Sequence, residues 1–223
     1  MRLIVVVEGQ TEEAFVHDVL TPHLADHAVF ASATIVGKVV AQRRGHRRRG
    51  GGHFRNWEAD LRRLLASDRT ADLRVTSLFD LYGLPNDFPG LSEHGAEPDT
   101  TRRCERLEAT LARRVGDDRF IPYLQRHEFE ALVLAALPTL RDLLDAADDQ
   151  AGADQLAREI AGLAPEDVND GEDTAPSKRL ERFVPGYRKV LHGPLATHGA
   201  GLAALRSACP RFDGWVSRLE TLG

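Results

Sequence analysis

The chain has 223 residues, a formal net charge of −5, 42% hydrophobic residues and 28% charged residues. That balance excludes a globally disordered chain and a uniformly basic nucleic-acid binder, so contact with a polyanion has to come from a local patch. Two cysteines, Cys104 and Cys209, make neither a disulfide framework nor a metal motif, and no apolar run approaches the roughly 18 residues of a spanning helix. The expectation is a cytoplasmic protein with no membrane contact.

The first fifteen residues, MRLIVVVEGQTEEAF, carry the most information. Leu3 to Val7 is an apolar, β-branched run that reads as a buried strand, too short and too soon followed by acids for a signal peptide. Glu8 and Gly9 end it. Thr11 reads as the cap of a helix over Glu12–Ala25, with Phe15, Val19, Leu20 and Leu24 at helical spacing. A second strand, Val29–Val36, is followed by a Gly/Arg-rich loop from about Gly37 to Gly52. Phe54–Ala66 is a helix with Trp57, Leu61, Leu64 and Leu65 on one face. Leu73–Phe79 is a third strand that ends on Asp80. A loop with three prolines leads to a helix over Thr101–Val115, a fourth strand over Phe120–Leu124 and a buried helix over Glu128–Leu137.

Strands separated by helices imply parallel crossovers, an α/β fold with a mainly parallel four-stranded sheet and helices on both faces. Beyond Pro138 only helices are expected, over Leu140–Ala147, Ala153–Ala161, Ser177–Phe183 and Phe212–Leu222. The chain therefore divides into an α/β domain, residues 1–137, and a helical C-terminal region, 138–223, packed on it.

Ligands of parallel sheets bind at the carboxyl ends of the strands. Glu8 and Asp80 sit at such ends, Glu128 and Glu130 follow the fourth strand, and Glu12 lies four residues beyond Glu8. A strand-to-helix turn is a ready anion site, but this one carries three carboxylates, which suit a phosphate only with a divalent cation between them. The pattern points to Mg²⁺ or Mn²⁺ held by Glu8, Glu12, Asp80, Glu128 and Glu130, although Glu128 and Glu130 are two apart and only one of them faces such a cluster from a helix. Glu12 and Glu13 also complement the helix dipole without any metal.

The second constellation is RRGHRRRGGGHFR, with six arginines and two histidines in thirteen residues and no acid. Arg43, Arg44, Arg47, Arg48, Arg49 and Arg55 suit a phosphate backbone, because each neutralised phosphate releases counterions. A solvated loop is the competing reading.

Four blocks, VVVEGQTEEAF, LFDLYGLPNDFPG, IPYLQRHEFEALVL and APSKRL, give the chain a family likeness. In that order they resemble a Toprim-fold domain-of-unknown-function family of bacterial anti-phage defence proteins, akin to the Toprim effector of the PARIS system and, more distantly, to the nucleases named for overcoming lysogenisation defect. The resemblance implies a Mg²⁺- or Mn²⁺-dependent nuclease with Glu8, Asp80 and Lys178 as catalytic residues. In it the strand-one glutamate is Glu8, the glutamate one turn later is Glu12, the first acid of the Asp-x-Asp pair is Asp80, and the late lysine near the scissile phosphate is Lys178. The second acid of that pair falls on Tyr82, which leaves Asp87, Glu128 or Glu130 to supply the missing oxygen. The implied partners are DNA or RNA, an ATPase of a defence system, and a second copy of the chain in a homodimer. The alternative is a non-catalytic metal- and nucleic-acid-binding module that works with a partner ATPase.

Overall fold

The computed structural model describes residues 1–37, 52–169 and 174–223. Its centre is β1, Arg2–Val7, which pairs in parallel with β2, Phe30–Ile35, on one side and with β3, Leu73–Asp80, on the other. β3 then pairs in parallel with two short strands, β4, Phe120–Ile121, and β5, Leu124–Gln125. The order is β2-β1-β3-β4, with β5 also on β3. β1 alternates strictly: Leu3, Val5 and Val7 enter one apolar core, and Val6 enters the other with Ile4 beside it. A strand buried on both faces belongs at the middle of a parallel sheet.

The single fourth strand expected over Phe120–Leu124 is instead two pieces, because Pro122 has no N–H to give the ladder. Two hydroxyls of β3 repair the gap. Thr76 Oγ1 donates to the Ile121 carbonyl at 2.6 Å, and Ser77 Oγ accepts from the Tyr123 amide at 2.9 Å.

The helix after β1 begins earlier than Thr11. Helix α1 is Gln10–Phe15, with Gly9 at its N-cap in extended conformation and no side-chain cap. Thr11 is buried inside the helix. The chain stays helical through a π-helical turn, Val16–Leu20, into α2, Thr21–Ala25. The π turn precedes Pro22, which cannot donate to the Asp18 carbonyl. His198 Nδ1 lies 3.3 Å from that carbonyl in its place.

Helices α3, Phe54–Ser67, and α5, Thr100–Val115, cover one face, separated by the short α4, Leu91–His94. α3 presents Trp57, Leu61 and Leu65, and α5 presents Cys104, Leu107, Leu111 and Val115, at the spacing of one helical face. Asp99 caps α5 by accepting from the Arg102 amide, and Gly116 closes it in the left-handed conformation at φ 68°.

The other face carries α1, α2 and the helical C-terminal stretch. That stretch comprises α6, Glu130–Ala135; α7, Leu137–Asp142; α8, Ala147–Glu159; α9, Pro176–Phe183; α10, Lys189–Ala200; α11, Leu202–Ala208; and α12, Pro210–Glu220. The expected helix over Glu128–Leu137 starts two residues later and breaks at Ala136, just ahead of Pro138. Helices α10 and α11 have no counterpart in the sequence reading, since Gly193 and Pro194 read as breakers.

Residues beyond 138 share their core with β1. Phe15 meets Phe129 edge-on at 5.4 Å and Phe212 at 6.0 Å between ring centroids, and Trp215 Nε1 donates to Thr76 Oγ1 at 3.0 Å. Phe15 thus joins the first helix, α6 and α12 at one fully buried point. Phe15→Ala should cost about 3–5 kcal/mol, the range for truncating a buried aromatic, read as a shift of the denaturant midpoint with an unchanged slope. A loss under about 1 kcal/mol would show that the C-terminal helices do not depend on this contact.

Candidate functional site

In the order β2-β1-β3 the chain leaves β1 to one side and returns to the other. The carboxyl ends of β1 and β3 therefore flank the point where the winding direction switches, the place where open parallel sheets leave a crevice. Val7 pairs with Leu78, so Glu8 and Asp80 emerge there side by side. Glu8 Oε1 accepts from the Asp80 amide at 2.7 Å. Glu12 folds back over the turn: a Cβ on Gly9 would lie 3.0 Å from its Oε2. A Cβ on Gly83 would lie 2.7 Å from Glu8 Oε2, so the turn after β3 needs glycine to admit this carboxylate.

Glu130, fully buried at the start of α6, completes the group through Lys189. The Lys189 ammonium is 3.0 Å from Glu130 Oε2 and 3.8 Å from Asp80 Oδ2. α10 brings it there by packing closely on α1 and α6 at Gly193, where an added Cβ would meet Thr11, Tyr187 and Phe129 at 3.3–3.6 Å. Two carboxylate oxygens, Asp80 Oδ1 and Glu130 Oε1, are buried without a hydrogen-bond partner among the described residues, and so is the Tyr187 hydroxyl.

The electrostatics follow from four acids against one base. Burial raises the Glu8 carboxyl to about 8, with Glu12 adding to the rise and the Asp80 amide and Lys189 opposing it. Burial also raises Asp80 well above the usual range, against the pull of Lys189. Glu130 moves up for the same reason. Burial would lower Lys189, but Asp80, Glu130 and Glu12 outweigh it and hold the ammonium above the ordinary lysine range.

The other sequence candidates have partners of their own, and Glu128 still lies close enough to Glu130 to help raise its carboxyl. Glu128 Oε2 accepts from the Ser177 amide at 2.9 Å and so caps α9. Asp87 accepts from the Phe54 amide at 2.8 Å and caps α3. Lys178, on the exposed side of α9, pairs with Glu181 at 2.9 Å. Tyr82 sits in a 3₁₀ turn after β3, with its hydroxyl 3.2 Å from His127 Nδ1 and bonded to Asn169. His127 holds a left-handed conformation at φ 61°, a strained state for a non-glycine residue, in the turn between β5 and α6. Burial lowers its imidazole to about 4. Lys189 escaped the sequence reading; its one visible signal was that the chain has only three lysines.

Arg43, Arg44, Arg47, Arg48 and Arg49 lie outside the described residues. Their flanks do not. Ile35 pairs with Val7, so the segment leaves β2 at the carboxyl edge, where Gly37 donates to Asp60 at 3.0 Å. Arg55 is exposed on the first turn of α3.

The carboxylates offer hard oxygen donors in excess of the charge present, which fits a divalent cation in chemistry. The fit is incomplete in position: among the described residues, the only three His, Cys, Asp or Glu groups with ligand atoms within 4.8 Å of one another are His23, His27 and Glu220. Ligation of one ion by three acids of the cluster therefore needs side-chain rotation, with Lys189 giving way.

The fold and site define an α/β chain with a buried carboxylate–lysine centre at the switch point of a parallel sheet. Residues 7–220 match the family described as Domain of unknown function (DUF4276), and the chain belongs to that family. No curated protein matches it. Among solved structures, it is similar to the C-terminal region of the Burkholderia pseudomallei OLD protein, at 16% identity and TM-score 0.45 over 98% of each chain. It is also similar to the C-terminal region of the Xanthomonas campestris pv. campestris OLD protein, at 15% identity and TM-score 0.40 over 97% of this chain and 96% of that one. At these values function has to be argued from the site.

A carboxyl raised in the folded chain stabilises the fold in its protonated form. The contribution of Glu8 is therefore full below its ordinary value of 4.5 and is lost as pH rises through about 8. Without divalent ions, thermal stability should fall between pH 5 and 8, and Glu8→Gln should flatten that fall and be the more stable protein at pH 8. Parallel wild-type and variant curves would place Glu8 outside the titrating centre.

Proposed function

We propose that the chain is a divalent-cation-dependent hydrolase of phosphodiester bonds in nucleic acid, serving anti-phage defence or a stress response. The observation that carries this reading is the set of four carboxylates, two with buried unpartnered oxygens, gathered round one ammonium at the switch point. The family resemblance of the sequence motifs supports the nuclease assignment.

Glu8, Glu12, Asp80 and Glu130 are the residues that would hold Mg²⁺ or Mn²⁺. A divalent ion bound there supplies Lewis acidity and a lowered pKa for its water. Lys189, beside Asp80 and Glu130, would hold a phosphate oxygen as charge develops on it, the role expected from sequence of Lys178. Arg55 would hold the backbone at the same edge, and the arginines before it in sequence would add affinity for phosphate. Tyr82, fixed by His127 and Asn169, adds a neutral hydroxyl where a second acid would add charge. That substitution favours the non-catalytic reading, in which the centre binds a cation and nucleic acid beside a partner ATPase and nothing is cut.

The test is incubation of single- and double-stranded DNA and RNA with Mn²⁺ or Mg²⁺. Wild type should cleave and lose activity in EDTA. Glu8→Gln and Asp80→Asn should abolish cleavage while keeping the fold. Lys189→Met should lower turnover on the order of 10²-fold, as for loss of one oxyanion donor, and Lys178→Met by much less. Binding without cleavage by wild type would establish the binding-module reading.

Arg47→Ser, Arg48→Ser and Arg49→Ser together should weaken nucleic-acid affinity and flatten its dependence on salt. Turnover at saturating substrate should hold. An unchanged salt slope would show that these arginines do not touch phosphates.

A further inference from the structure

The structure assigns a second, transition-metal site to His23, His27 and Glu220, separate from the carboxylate centre. Their ligand atoms lie within 4.8 Å of one another. Both imidazoles aim Nε2 at the same carboxylate oxygen, Glu220 Oε1, at 2.6 Å from His23 and 3.7 Å from His27. A tetrahedral zinc ion with bonds near 2.0–2.2 Å sets neighbouring ligands about 3.4 Å apart, a value that lies between these two. The rings are 5.0 Å apart between centroids and tilted at 47°, with His23 on α2 and His27 in the turn that follows it.

The donor set decides the class of metal. Two imidazoles and one carboxylate suit Zn²⁺, Co²⁺ or Ni²⁺ over Mg²⁺. Side-chain exposures of 30%, 39% and 16% leave room for water at a fourth position. Arg206 contacts both oxygens of Glu220, its Nη2 lying 3.3 Å from Oε2, and is itself held by Asp213 and Ser217. Metal on Oε1 takes the place of the Arg206 Nη1 contact on that oxygen and leaves Oε2 to Nη2, which then orients the ligand as outer partners of metal-bound carboxylates do.

The site joins α2 and the turn before β2 to α12, 197 positions apart in sequence. It lies at the amino edge of the sheet, while the acids lie at the carboxyl edge. The two are separated by the six residues of β1, about 20 Å of strand. An ion here fastens the C-terminal helix to the sheet layer and takes no part in chemistry at Glu8.

The test is a Co²⁺ titration of the tag-free full chain carrying Glu8→Gln, followed by visible absorption, with Zn²⁺ displacement. The expected result is one saturable site with the intense bands of tetrahedral cobalt, abolished by zinc, and a rise in melting temperature on adding Zn²⁺. His23→Ala and His27→Ala should each weaken binding roughly 100-fold or more, at least the loss seen for outer partners, and remove the thermal shift. His27 gives up only a 3.7 Å contact, so His27→Ala decides the matter if His23→Ala does not fold. The proposal is overturned by no saturable binding at millimolar Zn²⁺. It is equally overturned by binding that survives His27→Ala.

Discussion

One ammonium among four carboxylates governs this molecule. Glu8, Glu12, Asp80 and Glu130 converge because parallel strands end together and α1 and α6 begin beside them. Their mutual repulsion in a buried crevice is tolerable only while some are protonated or a cation is present. Lys189 is the cation the chain supplies for itself, and α10 has to lie close against α1 and α6, through Gly193, to deliver it. The helical C-terminal stretch is thus more than a cover for one face of the sheet. It carries the counter-charge for a centre whose acids all come from the first 130 residues.

The same balance explains why the centre is poised. A buried carboxylate with no hydrogen-bond partner costs free energy, and Asp80 and Glu130 each present one such oxygen. A divalent ion would relieve that cost, and release of Lys189 would turn a structural ion pair into a group free to meet phosphate. Tyr82, two residues beyond Asp80, turns its hydroxyl to His127 and Asn169 and adds no fifth acid to the crevice. His127 holds it there from a strained turn, an arrangement that persists only where the surroundings over-determine it.

Much of this was legible in the sequence, and the reasons differ by residue. Leu3–Val7 is β-branched and uninterrupted, so both the strand and the place of Glu8 at its end could be read directly. Asp80 was legible for the same reason at the end of β3. Glu128 and Glu130 could not be told apart until the start of α6 was known, because two residues change a side chain's face. The break at Pro122 was open to reading from its missing N–H, but its repair by Thr76 and Ser77 is tertiary. Lys189 was not legible. It opens a helix whose Gly193 and Pro194 suggest a loop, and it meets Asp80 across more than a hundred residues. Lys178 drew attention through its local motif, and it pairs with Glu181 one turn along the same helix.

The central claim is that the carboxylates take a divalent cation in place of the Lys189 ammonium. Anomalous diffraction from crystals grown with Mn²⁺ tests it most directly. The account predicts a manganese peak bonded to Glu8 and Asp80 at about 2.1–2.2 Å, near the bond length of other small hard cations, with the Lys189 amine withdrawn from Asp80. A map with no manganese at this edge, and Lys189 still paired to Glu130 and Asp80 at millimolar Mn²⁺, would contradict it.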